Sequence, residues 1–186
     1  MDDDKILDLY EARMEDAIQE TARKYGRYCA AIAYNILRNA EDTEECVNDT
    51  YRKTWETVPP QRPVVFRAFL GKITRRLSLN KYKAQRTQKR GGGEIALLYG
   101  ELADCIPSGS DVEREYEATL VTGVINTCLL SLEKERRMVF VRRYWYADSI
   151  QAIAARYHMS ESKVKSMLFR TRKTLKAALE REGVMV

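Results

Sequence analysis

The stretch from Asp148 to Lys176, DSIQAIAARYHMSESKVKSMLFRTRKTLK, constrains this chain most tightly. Ile150, Ile153, Ala154 and Tyr157 fall at helical spacing, so a first short helix has one apolar face. Val164, Leu168, Thr171 and Leu175 give a second helix its own inner face. Ser160 stands where an N-cap belongs, because its hydroxyl can accept an orphan backbone N–H. Between the helices lies Tyr157-His158-Met159, where a tight turn needs positive φ. Histidine tolerates that region better than most side chains. His158, the sole histidine, is therefore read as a turn residue rather than a ligand or base. The outer face of the second helix carries Lys163, Lys165, Ser166, Phe169, Arg170, Arg172 and Lys173, opposed only by Glu161. A basic helix held by a compact partner is the helix-turn-helix arrangement for a DNA major groove. There cations neutralise phosphates, and Lys or Arg can donate to a guanine edge.

The net charge of +5 conceals a segregation. Met1 to Glu56 holds fourteen acids and eight bases, whereas Thr57 to Gly93 holds ten bases and no acid. Glu94 to Asn126 returns to seven acids against one base, and Arg142 to Lys176 has nine bases against two acids. Two solubilising faces would not need a run of ten bases without an acid, so the blocks read as two nucleic-acid surfaces on one chain. No apolar run approaches membrane-spanning length and the N-terminus is acidic, which points to a cytoplasmic protein without membrane insertion. Cys29, Cys46, Cys105 and Cys128 are scattered, without CxxC spacing or a Cys/His cluster, so neither a zinc site nor a disulfide framework is expected. No cofactor is called for.

Taken in order, residues Ile6 to Arg38 read as helical with a break near Gly26, and Tyr28, Ile32, Ile36 and Leu37 mark a buried stripe. After a turn at Arg38–Ala40, a helix over Glu41–Trp55 turns Cys46, Val47, Thr50, Tyr51 and Trp55 inward. Glu44, Glu45, Asn48, Asp49 and Arg52 lie mostly outside. Val58-Pro59-Pro60-Gln61-Arg62-Pro63 is a stiff loop, because proline removes a donor and disfavours helix before it. Phe66, Phe69, Leu70, Ile73 and Leu77 then define an amphipathic helix running to about Lys83. Its wet face carries Arg67, Lys72, Arg75, Arg76, Asn80 and Lys83, with Tyr82 among them. Cations with interleaved aromatics suit a single strand, tracking phosphates while rings stack on unpaired bases.

Lys89 to Gly93 closes a first domain, and the stretch through Pro107–Ser110 reads as a flexible linker with a short helix near Ile95–Ala103. Helices follow over Val112–Leu130 and from Ser131, taken as an N-cap, with Val139, Phe140 and Tyr144 facing inward. The expected fold is all-α. It comprises two small helical domains over residues 1–90 and 112–186, joined by a linker over 91–111.

Both basic blocks together resemble the small two-domain bacterial sigma factors of the sigma-70 family, extracytoplasmic-function type, over roughly Tyr25 to Leu179. EDTEECVNDTYRKTW resembles the segment that docks on the clamp of core RNA polymerase. The resemblance implies docking positions at Glu45, Asn48, Asp49 and Arg52. FRAFLGKITRRLSLNKYK resembles the segment that melts and holds the −10 promoter element, implying Arg67, Lys72, Arg75, Arg76, Asn80 and Lys83 as its contacts. SESKVKSMLFRTRK resembles the −35 recognition helix, with Lys163, Lys165, Ser166, Phe169, Arg170 and Lys173 toward DNA. The Pro59–Pro63 loop matches the loop that pockets a flipped base in these factors. The family also implies an anti-sigma factor as partner. His158 replaces the frequent turn glycine, Met167 a common arginine, and Asn80 a frequent aspartate; no region 3 domain is evident.

Two other readings compete. A free-standing helix-turn-helix regulator would leave the acid-free helix after Phe66 unexplained. A nucleic-acid-processing enzyme could use Glu45 and Asp49, at i, i+4, as metal ligands. No histidine or second carboxylate pair accompanies them, so the chain is not expected to be an enzyme.

Overall fold

The computed structural model describes residues 1–88, 98, 100–102 and 115–183. All regular structure among them is helical, and the chain divides into two compact units, Met1–Gly91 and Gly92–Val186. The linker assigned to 91–111 lies mostly outside the described residues.

The N-terminal unit holds α1 (Asp3–Glu11), α2 (Asp16–Leu37), α3 (Ala40–Thr57) and α4 (Phe66–Gln88). The break expected near Gly26 falls instead between Glu11 and Asp16. There Arg13 turns the chain at φ 56°, and Met14 N–H closes back on the Leu9 carbonyl at 2.9 Å. Gly26 sits inside α2 for a packing reason, since a Cβ there would stand 3.3 Å from the Tyr51 hydroxyl. The turn allows α1 to bury Ile6, Leu7 and Tyr10 against Ala17, Tyr25, Cys29, Val58, Phe66 and Leu70. The Tyr10 ring lies 6.0 Å from both Trp55 and Phe66. Arg38, left-handed at φ 54°, ends α2, and the Asn39 side chain caps α3 by accepting from Asp42 N–H at 2.9 Å.

The α3–α4 seam differs from the expected apolar stripe. Leu77 is half-buried, while Thr50, Thr74 and Ser78 are fully buried with Cys46 nearly so. Their hydroxyls are satisfied locally: Thr50 donates to the Cys46 carbonyl at 2.8 Å, and Ser78 to the Thr74 carbonyl at 2.8 Å. Short side chains with internal partners let the helices approach without an orphaned polar atom. Gly71 serves a similar end, since a Cβ there would come within 2.3 Å of the Tyr28 hydroxyl.

The C-terminal unit holds α5 (Glu115–Ser131), α6 (Lys134–Tyr144), α7 (Ile150–Tyr157) and α8 (Glu161–Arg181). Val139, Phe140, Tyr144, Ile153, Val164, Leu168, Leu175 and Leu179 form its core. Ser131 does not cap α6. It is the last residue of α5 and donates to the Cys128 carbonyl at 2.7 Å, leaving Glu133 at the N-cap. The serine that caps where none was assigned is Ser149, whose oxygen accepts from Ala152 N–H at 3.1 Å to open α7. Leu98 and Glu101 are part of this unit: Leu98 is buried and Glu101 half-buried.

Candidate nucleic-acid interface

Helices α7 and α8 meet through the turn that the sequence marks. His158 takes φ 52°, ψ 45° and closes α7, with Met159 N–H returning to the Ala154 carbonyl at 2.9 Å. Ser160 accepts from Lys163 N–H at 3.2 Å and begins α8. Val164, Leu168, Thr171, Leu175 and Leu179 then point into the domain. That phase leaves Lys163, Lys165, Ser166, Phe169, Arg170 and Lys173 exposed on the other side. Phe169 is 61% exposed, an aromatic ring held in water among cations. Lys163 faces Glu135 at 3.3 Å, and Arg170 and Lys173 border a cleft that α8 forms with α5.

Arg172 does not belong to that strip. Its guanidinium donates to the Tyr144 hydroxyl at 2.7 Å and lies 3.7 Å from Glu101. Glu101 also accepts from Arg143 at 2.9 Å and from Tyr144 at 2.7 Å. The Arg143 side chain is only 2% exposed. Burial alone would raise the Glu101 pKa, but the hydrogen bonds from Arg143 and Tyr144, with the charges of Arg143 and Arg172, hold it below the ordinary glutamate value. The carboxylate thus fastens α6 to α8 behind the exposed strip.

In the N-terminal unit, Arg67, Lys72, Arg76, Asn80 and Lys83 lie on the exposed face of α4, and Arg75 is half-buried. The Arg67 guanidinium stacks over the Tyr28 ring at 4.7 Å, a contact within cation–π range. Lys81 and Arg62 of the ten-base block are paired with carboxylates. Lys81 is shared by Asp42 at 2.7 Å and Glu45 at 2.6 Å, and Arg62 is held by α1. On the outer face of α3, Asn48 is exposed, Asp49 is half-buried and pairs with Arg52 at 3.1 Å, and Arg52 reaches Glu56 at 3.3 Å. Glu45 is exposed but tied to Lys81. Among the described residues no group of three His, Cys, Asp or Glu is placed to hold a metal ion, and no helix is long and apolar enough to cross a membrane.

One unit that closes on a helix-turn-helix with a basic second helix, and another with its own cationic helix face, define a DNA-binding protein. Residues 21–88 match the family model "Sigma-70 region 2", and residues 123–175 match "Sigma-70, region 4". The chain belongs to the sigma-70 family of sigma factors, extracytoplasmic-function type, a family of initiation factors rather than enzymes. Comparison with the curated proteins finds no match. Among solved structures it is similar to CnrH in complex with the cytosolic domain of CnrY, at 19% identity and TM-score 0.43, covering 95% of this chain and 96% of that one.

Proposed function

We propose that this sigma factor binds core RNA polymerase through the outer face of α3, holds the melted −10 strand on α4, and reads the −35 element with α8. The observation that carries the reading is one cationic helix face in each unit, each backed by a buried apolar face of the same helix. Co-purification with core polymerase, followed by in vitro transcription over a promoter library, tests it. A chain that neither retains core nor initiates from any template ends the proposal. Its place of action is then the cytoplasm, and a protein covering either cationic face would act as an anti-sigma factor.

Two predictions follow from placement. Asn48→Ala with Asp49→Ala removes exposed or half-exposed groups from α3 while leaving Cys46, Thr50 and Tyr51 buried. The pair should weaken core binding about tenfold with the unfolding curve unchanged, as loss of one hydrogen-bonded charge cluster costs about 1–2 kcal/mol. Unchanged retention of core by the double variant removes these residues from the docking face.

For melting, Arg75 is half-buried and engaged, so the sharper test falls on Lys72 and Arg76, both exposed. Lys72→Gln with Arg76→Gln should depress open-complex formation more than closed-complex formation. The salt slope of single-strand binding should fall by about 0.7 per cation removed. Equal loss at both steps points to general phosphate attraction instead.

A further inference from the structure

Arg62 counts, by sequence, among ten bases facing nucleic acid, yet its guanidinium points at protein. It lies 2.9 Å from Asp8, 2.9 Å from Glu11 and 3.7 Å from Asp4, all on one edge of α1. Arg62 is the middle of the connection between α3 and α4. The last turn of α3, which leads into it, is pinned too: Arg13, in the turn after α1, donates to the Trp55 carbonyl at 2.7 Å and covers the Trp55 ring at 5.3 Å. Val58 is completely buried in the core that Ile6, Leu7 and Tyr10 of α1 help to build. Held at these points, the connection ends on Val64, 100% exposed, and Val65, 59% exposed, just before α4 and its first cation, Arg67. Helix α1 precedes residue 21, where the match to region 2 begins.

We propose that the acidic edge of α1 is the seat of this loop, and that Arg62 is a positioning residue which aims Val64 and Val65 rather than a contact to phosphate. This rests on the reading of α4 as the holder of the melted strand. A single exposed ion pair would do little, but one guanidinium shared by three carboxylates, with the α3 side of the loop anchored by Arg13 and buried Val58, forms a network with fixed geometry. The apolar tip then stands at the entrance to the cationic face, and its pose depends on α1.

Charge exchange in the full-length chain separates positioning from phosphate attraction. Arg62→Glu should lower open-complex formation about three- to fivefold, the upper part of the range measured for exposed ion pairs. Asp8→Arg with Glu11→Arg should lower it similarly, although it adds positive charge beside the DNA. The triple variant should recover to within about twofold of wild type, because the pairs re-form with inverted sign. Hydrogen exchange reads the loop without DNA. The amides of Gln61, Arg62, Val64 and Val65 should exchange faster in the two partial variants and return in the triple one, with α2 to α4 unchanged. Wild-type melting in the same assay tests the proposed function itself, so a defect confined to the variants speaks of the loop alone. The inference is overturned if Asp8→Arg with Glu11→Arg leaves or improves melting. It is overturned equally if the triple variant stays as low as Arg62→Glu, or if the loop amides ignore all three.

Discussion

Glu101→Ala should destabilise the C-terminal unit by roughly 3 kcal/mol, the lower end of what stripping a partner from a buried charge costs. The lower end applies because Glu101 itself is 25% exposed, so water can reach the gap, whereas Arg143 is buried to 2%. Arg143 would keep the Asp148 carbonyl at 3.0 Å, a neutral partner, and lose the Glu101 carboxylate at 2.9 Å. Tyr144 would lose the same acceptor, and Arg172 the carboxylate charge 3.7 Å away. Urea unfolding of the full chain, followed by Trp145 emission in a Trp55→Phe background, reads the C-terminal unit. Glu101→Gln, which keeps an acceptor oxygen, should fall between wild type and alanine. The pH dependence follows in sign. The folded pKa of Glu101 lies below its unfolded value, so its contribution is complete above the ordinary glutamate range and fades as pH falls through the folded value. Glu101→Gln should therefore flatten the acid limb of the stability profile. A stability and acid limb identical to wild type in both variants would mean that the network holds nothing.

That network also shows where sequence reasoning stops. The phases of α3, α4 and α8 were legible because a 3.6-residue period records which side is buried, and His158 and Ser160 were legible because turn and cap demand particular side chains locally. Charges carry no such record. Arg62, Lys81 and Arg143 look like solvated cations in sequence, yet their partners stand 54, 36 and 42 positions away. Only the packed helices bring those pairs together. Arg172 was assigned to the outer face for the same reason, and Glu101 is what turns it inward. Gly26 misled because glycine signals both a break and a close approach, and the structure uses it for the second. The true break had no signal, since Arg13 adopts positive φ without being glycine or asparagine. Thr74 and Ser78 reverse the usual inference in another way: their hydroxyls bond within their own helix, so hydrophilic letters fill a buried seam.

The recognition helix offers the sharpest contrast between fold and function. Val164→Asp places a carboxylate at a position with no exposure, in the core beside Leu168. Burial strips the carboxylate of water, and the cost, on the order of 4–5 kcal/mol, rivals the whole stability of a small domain. Binding to every −35 sequence should vanish together with the cooperative unfolding of the C-terminal unit. Arg170→Ala, six residues further along and exposed, should leave unfolding unchanged. If Arg170 reads a base edge, its loss costs roughly 1–3 kcal/mol and relaxes preference at one position of the element. Lys173→Ala should instead weaken all sequences alike and lower the salt slope by about 0.9, the mark of a phosphate contact. Binding isotherms over single-base variants at fixed salt, with unfolding curves alongside, separate the three. Helix α8 exposes Lys165, Ser166 and Phe169 on the same side as Arg170, so the register has a fallback. An Arg170→Ala variant with wild-type affinity and base preference would shift the reading strip toward Lys165 and Phe169. In that case Arg170 would belong with the cleft it borders against α5.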